Sequence, residues 1–483
     1  PRLPVTHLKK GSPMTLPNII VDGVPYGPIQ EGSPRIGVGI TTHNRPDAFQ
    51  KTFLEIKRRT PGAKIVVVDD ASDIPVQEAD FRFNENVGIA RAKNKCLELL
   101  DDCDHIFLFD DDTYPIADEW WKPYVESPEP HLAFSWNLID VYRDSKHAAF
   151  HASGGCMLYV EKHVLQAVGG METCFGRWGW EHVNWSDRIH NAGFTTWRYA
   201  DVVNSRDLFH PMDADEEVKS TATKADFEHN QGPARELYMS KRYDSHYVEY
   251  RDLEDVVITT LFTRDKDPQR GARLKADPVL VKHLANSLKG KKLIVFHDAL
   301  ENPQLAPNVE FVKVETGINP YFQRWQSIFQ FLRSHPNIGR VWCVDGTDVE
   351  MLRDPFPEME DGVLYTGFEN ATLRNAWMLK HHPDGKLQKF MRENPNMQLL
   401  NAGLLGGSRE LVMRFAQKVT QFWYDDHIDE IQGWEKGRAG IGDMGAFNYV
   451  ARKLFADVLS WGTHVNTIFK AEERNEFSWW KHK

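Results

Sequence analysis

Ile106-Phe107-Leu108-Phe109-Asp110-Asp111-Asp112 is a continuously apolar run that ends abruptly in three carboxylates. Apolar residues in a row, without polar alternation, read as a strand buried on both faces. Upstream, Ile36-Gly37-Val38-Gly39-Ile40 is a second such strand and stops at Thr41-Thr42-His43-Asn44-Arg45-Pro46. Lys64-Ile65-Val66-Val67-Val68 is a third and stops at Asp69-Asp70. Between them Ala48 to Arg59 reads as a helix, as does the stretch with apolar positions at Ala90, Cys96, Leu97 and Leu100. Short buried strands alternating with helices predict an α/β fold on a parallel sheet covered on both faces. In such sheets ligands sit beyond the carboxyl ends of the strands, where all three polar clusters lie.

The same order recurs downstream. Val256-Val257-Ile258-Thr259-Thr260-Leu261 and Leu293-Ile294-Val295-Phe296 read as strands, the latter ending in His297-Asp298. Tyr321 to Ser334 reads as a helix, and Val341-Trp342-Cys343-Val344 as a strand ending in Asp345-Gly346-Thr347-Asp348. Identity between the halves is low, so the repeat is one of architecture and not a short-period solenoid. A chain of 483 residues exceeds what one hydrophobic core normally serves. The expected organisation is an extended leader over residues 1–34, with Met14 as a candidate native start, and a first domain over 35–212. A polar, helical connector follows over 213–252, starting Asp213-Ala214-Asp215-Glu216-Glu217, and a second domain runs over 253–483.

Composition narrows the partners. A net charge of −11 disfavours nucleic acid held across a broad surface. A small anionic ligand held through a cation stays compatible. Aromatic residues make up 12% of the chain, enough for stacking surfaces or simply for two large cores. The five cysteines Cys96, Cys103, Cys156, Cys174 and Cys343 form no CxxC pair, which argues against a zinc knuckle or a disulfide scaffold and fits a reducing compartment. No apolar run approaches the roughly 18 residues needed to span a bilayer. The expected location is the cytoplasm; oligomeric state is not legible.

Like charges at a strand end cost energy unless a cation compensates them. Asp110 and Asp112, at alternate positions, are candidate ligands of one hard ion such as Mg²⁺ or Mn²⁺, with Asp111 beside the ligand. The alternative is a solvated acidic turn. Asp69 and Asp70 offer a carboxylate to a nucleobase N–H, or cap a turn. Gly154-Gly155-Cys156 permits close backbone approach. In Phe175-Gly176-Arg177-Trp178-Gly179-Trp180-Glu181-His182, the two tryptophans read as a sugar platform or a buried aromatic cluster, and Glu181 as a catalytic base. Ser186 to Ala192 reads as a helix.

The ordered set Ile40-Thr41-Thr42-His43-Asn44-Arg45-Pro46, Val68-Asp69-Asp70-Ala71-Ser72, Asn86-Val87-Gly88-Ile89-Ala90-Arg91-Ala92-Lys93-Asn94 and Asp110-Asp111-Asp112 resembles a family-two-type GT-A glycosyltransferase over residues 35–212. Trp178-Gly179-Trp180-Glu181 is similar to the C-terminal motif of galactosyl- and N-acetylgalactosaminyltransferases. The resemblance implies tandem GT-A, Rossmann-like domains and a nucleotide-diphosphate sugar donor, with UDP favoured. It places Thr41, Asn44, Arg45, Asp69, Asn86, Asp111 and Trp180 around the donor and Arg91 near the phosphates. Asp110, Asp112 and His210 would be the metal ligands and Glu181 the base, with inversion at the anomeric carbon. His182 stands where relatives carry Asp or Asn, which leaves it a second candidate base and Asp187 a third.

In the second half, Asp345 and Asp348 again close a strand, Asn401-Ala402-Gly403 is a small turn, and Asp443 precedes an apparent helix. This order is similar to retaining, glycogenin-like GT-A transferases. It implies a metal at Asp345 and Asp348 with His464 as a further ligand, Asn401 and Gly403 at the donor, and Asp443 as the catalytic acid. The expected function is thus a bifunctional metal-dependent glycosyltransferase acting on a glycan, protein or other hydroxyl acceptor. The alternatives are one active domain with an acceptor-binding partner, a transferase acting on modified DNA bases, and a metal-dependent nucleotidyltransferase; no P-loop supports the last.

Overall fold

The computed structural model describes residues 20–21, 24–25, 34–215, 217–218, 223–382, 385–433, 442–471 and 473–482. The expected leader, Met14 included, lies outside them apart from Pro34 and the pairs Ile20–Val21 and Val24–Pro25, as does Glu216 of the acidic run. Two compact units result, Pro1–Asp252 and Leu253–Lys483.

In the first unit, β1 (Ile36–Thr42), β2 (Lys64–Asp69), β3 (Phe81–Arg82) and β4 (His105–Asp110) run parallel, with α1 (Pro46–Arg59) and α2 (Ile89–Leu99) as crossovers. β5 (His131–Ala133) and β6 (Met157–Glu161) complete the sheet in the order β3-β2-β1-β4-β6-β5. Side chains alternate between its faces, as the strand pleat requires. Val66, Val68, Ile106 and Leu108 pack with Cys96 and Leu97 of α2, while Val67, Phe107 and Phe109 pack with Phe49 and Ile56 of α1. α1 begins at Pro46, whose fixed φ suits a first helical turn.

β1 carries glycines because α2 lies close against it. A Cβ at Gly39 would sit 2.6 Å from the Cys96 Cβ, an atom of a rigid helix. Gly39→Ala is expected to cost about 1–3 kcal/mol through this overpacking, read as a lower midpoint in urea unfolding.

The sheet departs from the all-parallel expectation. β6 pairs antiparallel with β4, Met157 lying opposite Phe109 and Glu161 opposite His105. The chain starts β6 from the edge at which β4 ends, so the strand can only run back. The Asp110 N–H donates to the Cys156 carbonyl at 2.9 Å, which pins the start of β6 beside the acidic cluster.

Residues 223–252, in the expected connector, fall within the first compact unit. Trp180 stacks on Tyr238 at 4.7 Å between ring centroids, and its Nε1 donates to the Asn230 carbonyl. Val248 bridges Gly169, and the Tyr250 hydroxyl donates to Asp101. These aromatic anchors give the segment enough burial to belong to the first unit. The helix expected from Ser186 starts earlier: α3 spans Glu181–Asn191, entered through the left-handed Trp180 at φ 67°.

The second unit contains β7 (Glu254–Leu261), β8 (Lys292–His297), β9 (Val309–Lys313), α4 (Pro320–Ser334), β10 (Ile338–Val344), β11 (Leu364–Thr372), β12 (Gln398–Ser408), α5 (Arg409–Gln432), α6 (Met444–Leu454) and β13 (Leu459–Trp461). Its sheet order is β9-β8-β7-β10-β12-β11-β13. The first four strands are parallel and β12 is antiparallel to β10, so the arrangement of the first unit recurs. Here the Asp345 N–H donates to the Gly403 carbonyl at 3.0 Å, the counterpart of Asp110 and Cys156. The chain is therefore an α/β protein with two Rossmann-like sheets. Among the described residues no helix is long and apolar enough to cross a membrane.

Candidate active site

Both units open a cavity at the edge where the parallel strands end. In the first it measures about 230 Å³ and is lined by Thr41, Arg45, Asp70, Asn86, Asp110, Asp111, Asp112 and Arg177, with Trp178 and Asp213 at its side. The three strand-end carboxylates meet cations supplied by the chain itself. Lys93 Nζ lies 2.9 Å from Asp110 Oδ1. Arg45 reaches Asp111 Oδ1 at 2.5 Å and Asp112 Oδ2 at 2.6 Å. Thr42 Oγ1 donates to Asp111 Oδ2 at 2.7 Å.

Burial pushes the Asp111 carboxyl up to about 7 against the pull of Arg45. Burial and the neighbouring Asp110 also raise Asp112. For Lys93 burial works against the charge, but Asp110 outweighs it and holds the ammonium above its ordinary range.

Several expected residues are elsewhere. Asp69 is fully buried below the cavity, where Ser72 N–H, Val76 N–H and Arg82 Nε donate to it. Successive strand residues face opposite ways, so Asp70 is the one that lines the cavity, accepting from the Val87 and Gly88 N–H groups. Burial raises its carboxyl. Asn44 closes its own loop by accepting from the Asp73 N–H at 2.7 Å. Arg91 stands over the Phe83 ring at 5.6 Å and 3.9 Å from Asp252, outside the cavity lining.

His210 pairs with Glu217 at 3.0 Å. Among the described residues it does not join Asp110 and Asp112 in a set of ligand atoms within 4.8 Å of one another. Trp180 is packed on Tyr238, whereas Trp178 is on the lining and edges onto Phe227 at 5.2 Å. Glu181 is buried and 3.0 Å from His182 Nδ1; burial opposes its charge, but His182 and Lys93 hold it below the usual range. Neither Glu181 nor His182 lines the cavity.

The second cavity is larger, about 490 Å³. Asp345, Asp348, Asn401, Gly403 and Asp443 all line it, together with Tyr321, Arg324, Glu369 and His482. Arg324 Nη1 donates to Asp345 Oδ1 at 2.8 Å, while Nη2 and Nε donate to Asp443 Oδ2 at 2.6 and 2.9 Å. Trp325 Nε1 donates to the same oxygen at 2.5 Å. Asp443 occupies the position before α6 yet makes no capping bond with its side chain. Its carboxyl is raised by burial, with Arg324 opposing. Asn401 Nδ2 donates to Glu369 Oε1 at 2.8 Å, and burial raises Glu369.

His464 is not part of this cavity. It contacts Ser460 and lies in a separate depression beside Tyr365 and Trp479. The histidine that arrives is His482, whose strand pairs with Val349–Met351 and sets it opposite Val349, one residue past Asp348. Its Nε2 lies 3.7 Å from Asp345 Oδ2 and 3.9 Å from Asp348 Oδ1. The three residues offer ligand atoms within 4.8 Å of one another.

The fit to a divalent ion is therefore good in the second unit: two carboxylates, one buried imidazole, and a floor held at Gly403, where a Cβ would meet Asp345 and His482. His482, Arg324, Lys93 and Glu369 carry no motif in the sequence that marks them as site residues. The one available signal for His482 is the aromatic pair Trp479-Trp480 directly before Lys481-His482; the short strand Trp480–His482 is buried throughout.

No protein-family model and no curated protein sequence matches the chain. Among solved structures it is similar to the crystal structure of GalNAc-T7 with UDP, GalNAc and Mn²⁺, at 15% identity over 35% of this chain and 42% of that one, with a TM-score of 0.30. It is also similar to mannosyltransferase PcManGT from Pyrobaculum calidifontis in complex with GDP-Man and Mn²⁺, at 18% identity over 34% of this chain and 54% of that one, with a TM-score of 0.28. The chain thus spans about half the length of each. Likeness at this level assigns neither activity nor residue roles.

Proposed function

We propose that this chain is a glycosyltransferase that uses a nucleotide-diphosphate sugar, UDP-linked in the favoured case, and that the second-unit cavity is a metal-dependent transfer site. The observation that carries the reading is the convergence of Asp345, Asp348 and His482 at the carboxyl end of a parallel sheet, beside a cavity large enough for a nucleotide. Mn²⁺ or Mg²⁺ held by these three residues supplies a counter-charge for a departing diphosphate.

The chain's own groups do the positioning. Arg324 holds Asp345 Oδ1, which leaves Oδ2 turned toward His482. His482 is buried, and burial keeps its imidazole below the ordinary range, hence neutral and able to act as a donor atom. Asn401 and Gly403 form a small floor on which a sugar can approach the backbone. Asp443 Oδ2 accepts from Arg324 and Trp325, so Asp443 fixes Arg324 at the cavity wall. Glu369 is the cavity carboxyl we assign to contact the sugar or acceptor, because its bond to Asn401 leaves it facing the cavity. The first-unit cavity, at the equivalent sheet edge, is a second donor pocket in this reading. Arg45, Asp70, Asn86 and Arg177 contact the nucleotide there. The acceptor is a hydroxyl compound, a glycan or protein rather than DNA, given the acidic balance.

The test is release of free nucleotide diphosphate from a panel of UDP- and GDP-sugars with Mn²⁺. Asp348→Asn and His482→Ala are each expected to reduce the second unit's turnover by about 10²-fold or more. Pyrophosphate as the product would favour a nucleotidyltransferase and defeat the proposal.

A further inference from the structure

The second cavity runs along one edge of its sheet and meets four neighbouring strands in turn, β7, β10, β12 and β11. β12 is antiparallel to both β10 and β11, so β7, β10 and β11 all bring their carboxyl ends to that edge. Thr260 and Leu261 of β7 stand at one end of the lining, Asp345 just past β10 in the middle, and Glu369 of β11 at the other end. Trp377 also lines the cavity, on the short helix Ala376–His381 that follows β11.

A diphosphate at β10 has a nucleoside on one side and a sugar on the other. Asn401 and Gly403 of β12 form the sugar's floor, so the nucleoside falls toward β7 and the loop behind it. There Phe262, Leu274 and Tyr321 offer an apolar and aromatic surface. The space past the sugar, on the β11 side, is what remains for the acceptor.

That wall carries unused hydrogen-bonding groups. Glu369 accepts from Asn401 through Oε1, and Asn375 accepts from the Trp377 backbone N–H through Oδ1 at 2.8 Å. Among the described residues Glu369 Oε2, Asn375 Nδ2 and Trp377 Nε1 have no hydrogen-bond partner. Trp377 is half-buried, with His381 packed against its ring at 4.4 Å between centroids. An indole beside a carboxylate and an amide matches a pyranose, which has an apolar face of C–H groups and a rim of hydroxyls.

We infer that the acceptor at the second cavity is a carbohydrate, one sugar ring of which stacks on Trp377 while its hydroxyls meet Glu369 and Asn375. This rests on reading the cavity as a glycosyl-transfer site. In the transfer an acceptor hydroxyl oxygen bonds to the anomeric carbon and the bond from that carbon to the diphosphate breaks. The hydroxyl proton is released with the nucleotide diphosphate. A peptide hydroxyl brings no ring to the indole and leaves the stacking surface uncovered.

The experiment uses the full chain with Mn²⁺ and follows diphosphate release from the donor, taking as the second unit's share the part lost in His482→Ala. Malto-, cello- and galacto-oligosaccharides are compared with serine- and tyrosine-containing peptides as acceptors. Oligosaccharides are expected to accelerate that share. Trp377→Ala should raise their KM about 10-fold, the value of one aromatic stacking contact, and move the donor's KM less than about twofold. Trp377→Phe, which keeps a ring, should recover most of the loss. Trp377→Leu keeps apolar bulk without a flat face and gives the same reading if Trp377→Ala fails to fold. Acceleration by peptides alone or by neither class overturns the inference, and so does a rise in the donor's KM equal to the acceptor's; the transferase reading survives each of these. No diphosphate release from any donor defeats both.

Discussion

Arg324→Ala is expected to lower the unfolding free energy of the second unit by roughly 3–5 kcal/mol, the range seen when one member of a buried ion pair is removed. Arg324 is the cation shared by Asp345 and Asp443, and its guanidinium donates three of its N–H groups to them. Asp443 is 2% exposed, so without Arg324 its charge is left with the Trp325 N–H alone among these partners. Urea unfolding followed by tryptophan fluorescence measures the loss. Asp443→Asn in the same background should restore a substantial part of it, since the stranded charge is then gone. A loss below about 1 kcal/mol would place the pair among surface ion pairs and contradict its burial.

The pH dependence has a definite sign. Burial already raises the Asp443 carboxyl in the folded state, and removing Arg324 takes away an opposing influence. A carboxyl raised on folding favours the folded state while protonated, and that advantage is lost as pH rises through its folded value. The Arg324→Ala defect should therefore be smaller in mild acid, toward the raised Asp443 value, and larger at neutral pH and above.

Gly403→Ala should weaken Mn²⁺ binding by about 10–100-fold, the range typical for disturbing groups that orient metal ligands. An alanine Cβ at this position would contact the His482 ring, lie 2.5 Å from Asp345 Oδ2 and 2.9 Å from Asn401 Oδ1. None of these can yield easily. His482 is buried on a paired strand, Asp345 is tied to Arg324, and the Asn401 oxygen accepts from the Gly403 N–H at 2.7 Å. Calorimetric or resonance titration with Mn²⁺ reads the effect. Gly317→Ala, where a Cβ meets nothing within 4 Å, is the control and should bind as wild type. Equal affinities in the two variants would mean that the Gly403 floor does not shape the ion's site.

The amino-acid sequence alone determined the alternation of buried strands and helices, its repetition in two halves, and the placing of carboxylates where β4 and β10 end. These features are written in neighbours along the chain, because strand burial and helix periodicity depend on residues a few positions apart. Even so, one-residue choices escaped: Asp70 rather than Asp69, and Trp178 rather than Trp180, face the first cavity, because side-chain direction at a strand end or a left-handed turn depends on the local backbone.

What only the tertiary structure decided is which distant groups complete each acidic edge. His482 replaces His464 because a terminal strand pairs beside Asp348, more than a hundred residues away in sequence. Lys93 and Arg45 reach the carboxylates of the first unit because α2 and the β1 turn pack over the end of β4. A run of aspartates states a charge that must be balanced. The partner that balances it, an ion or a side chain, is selected by long-range packing, since Coulomb energy depends on distance in space and on burial rather than on separation along the chain.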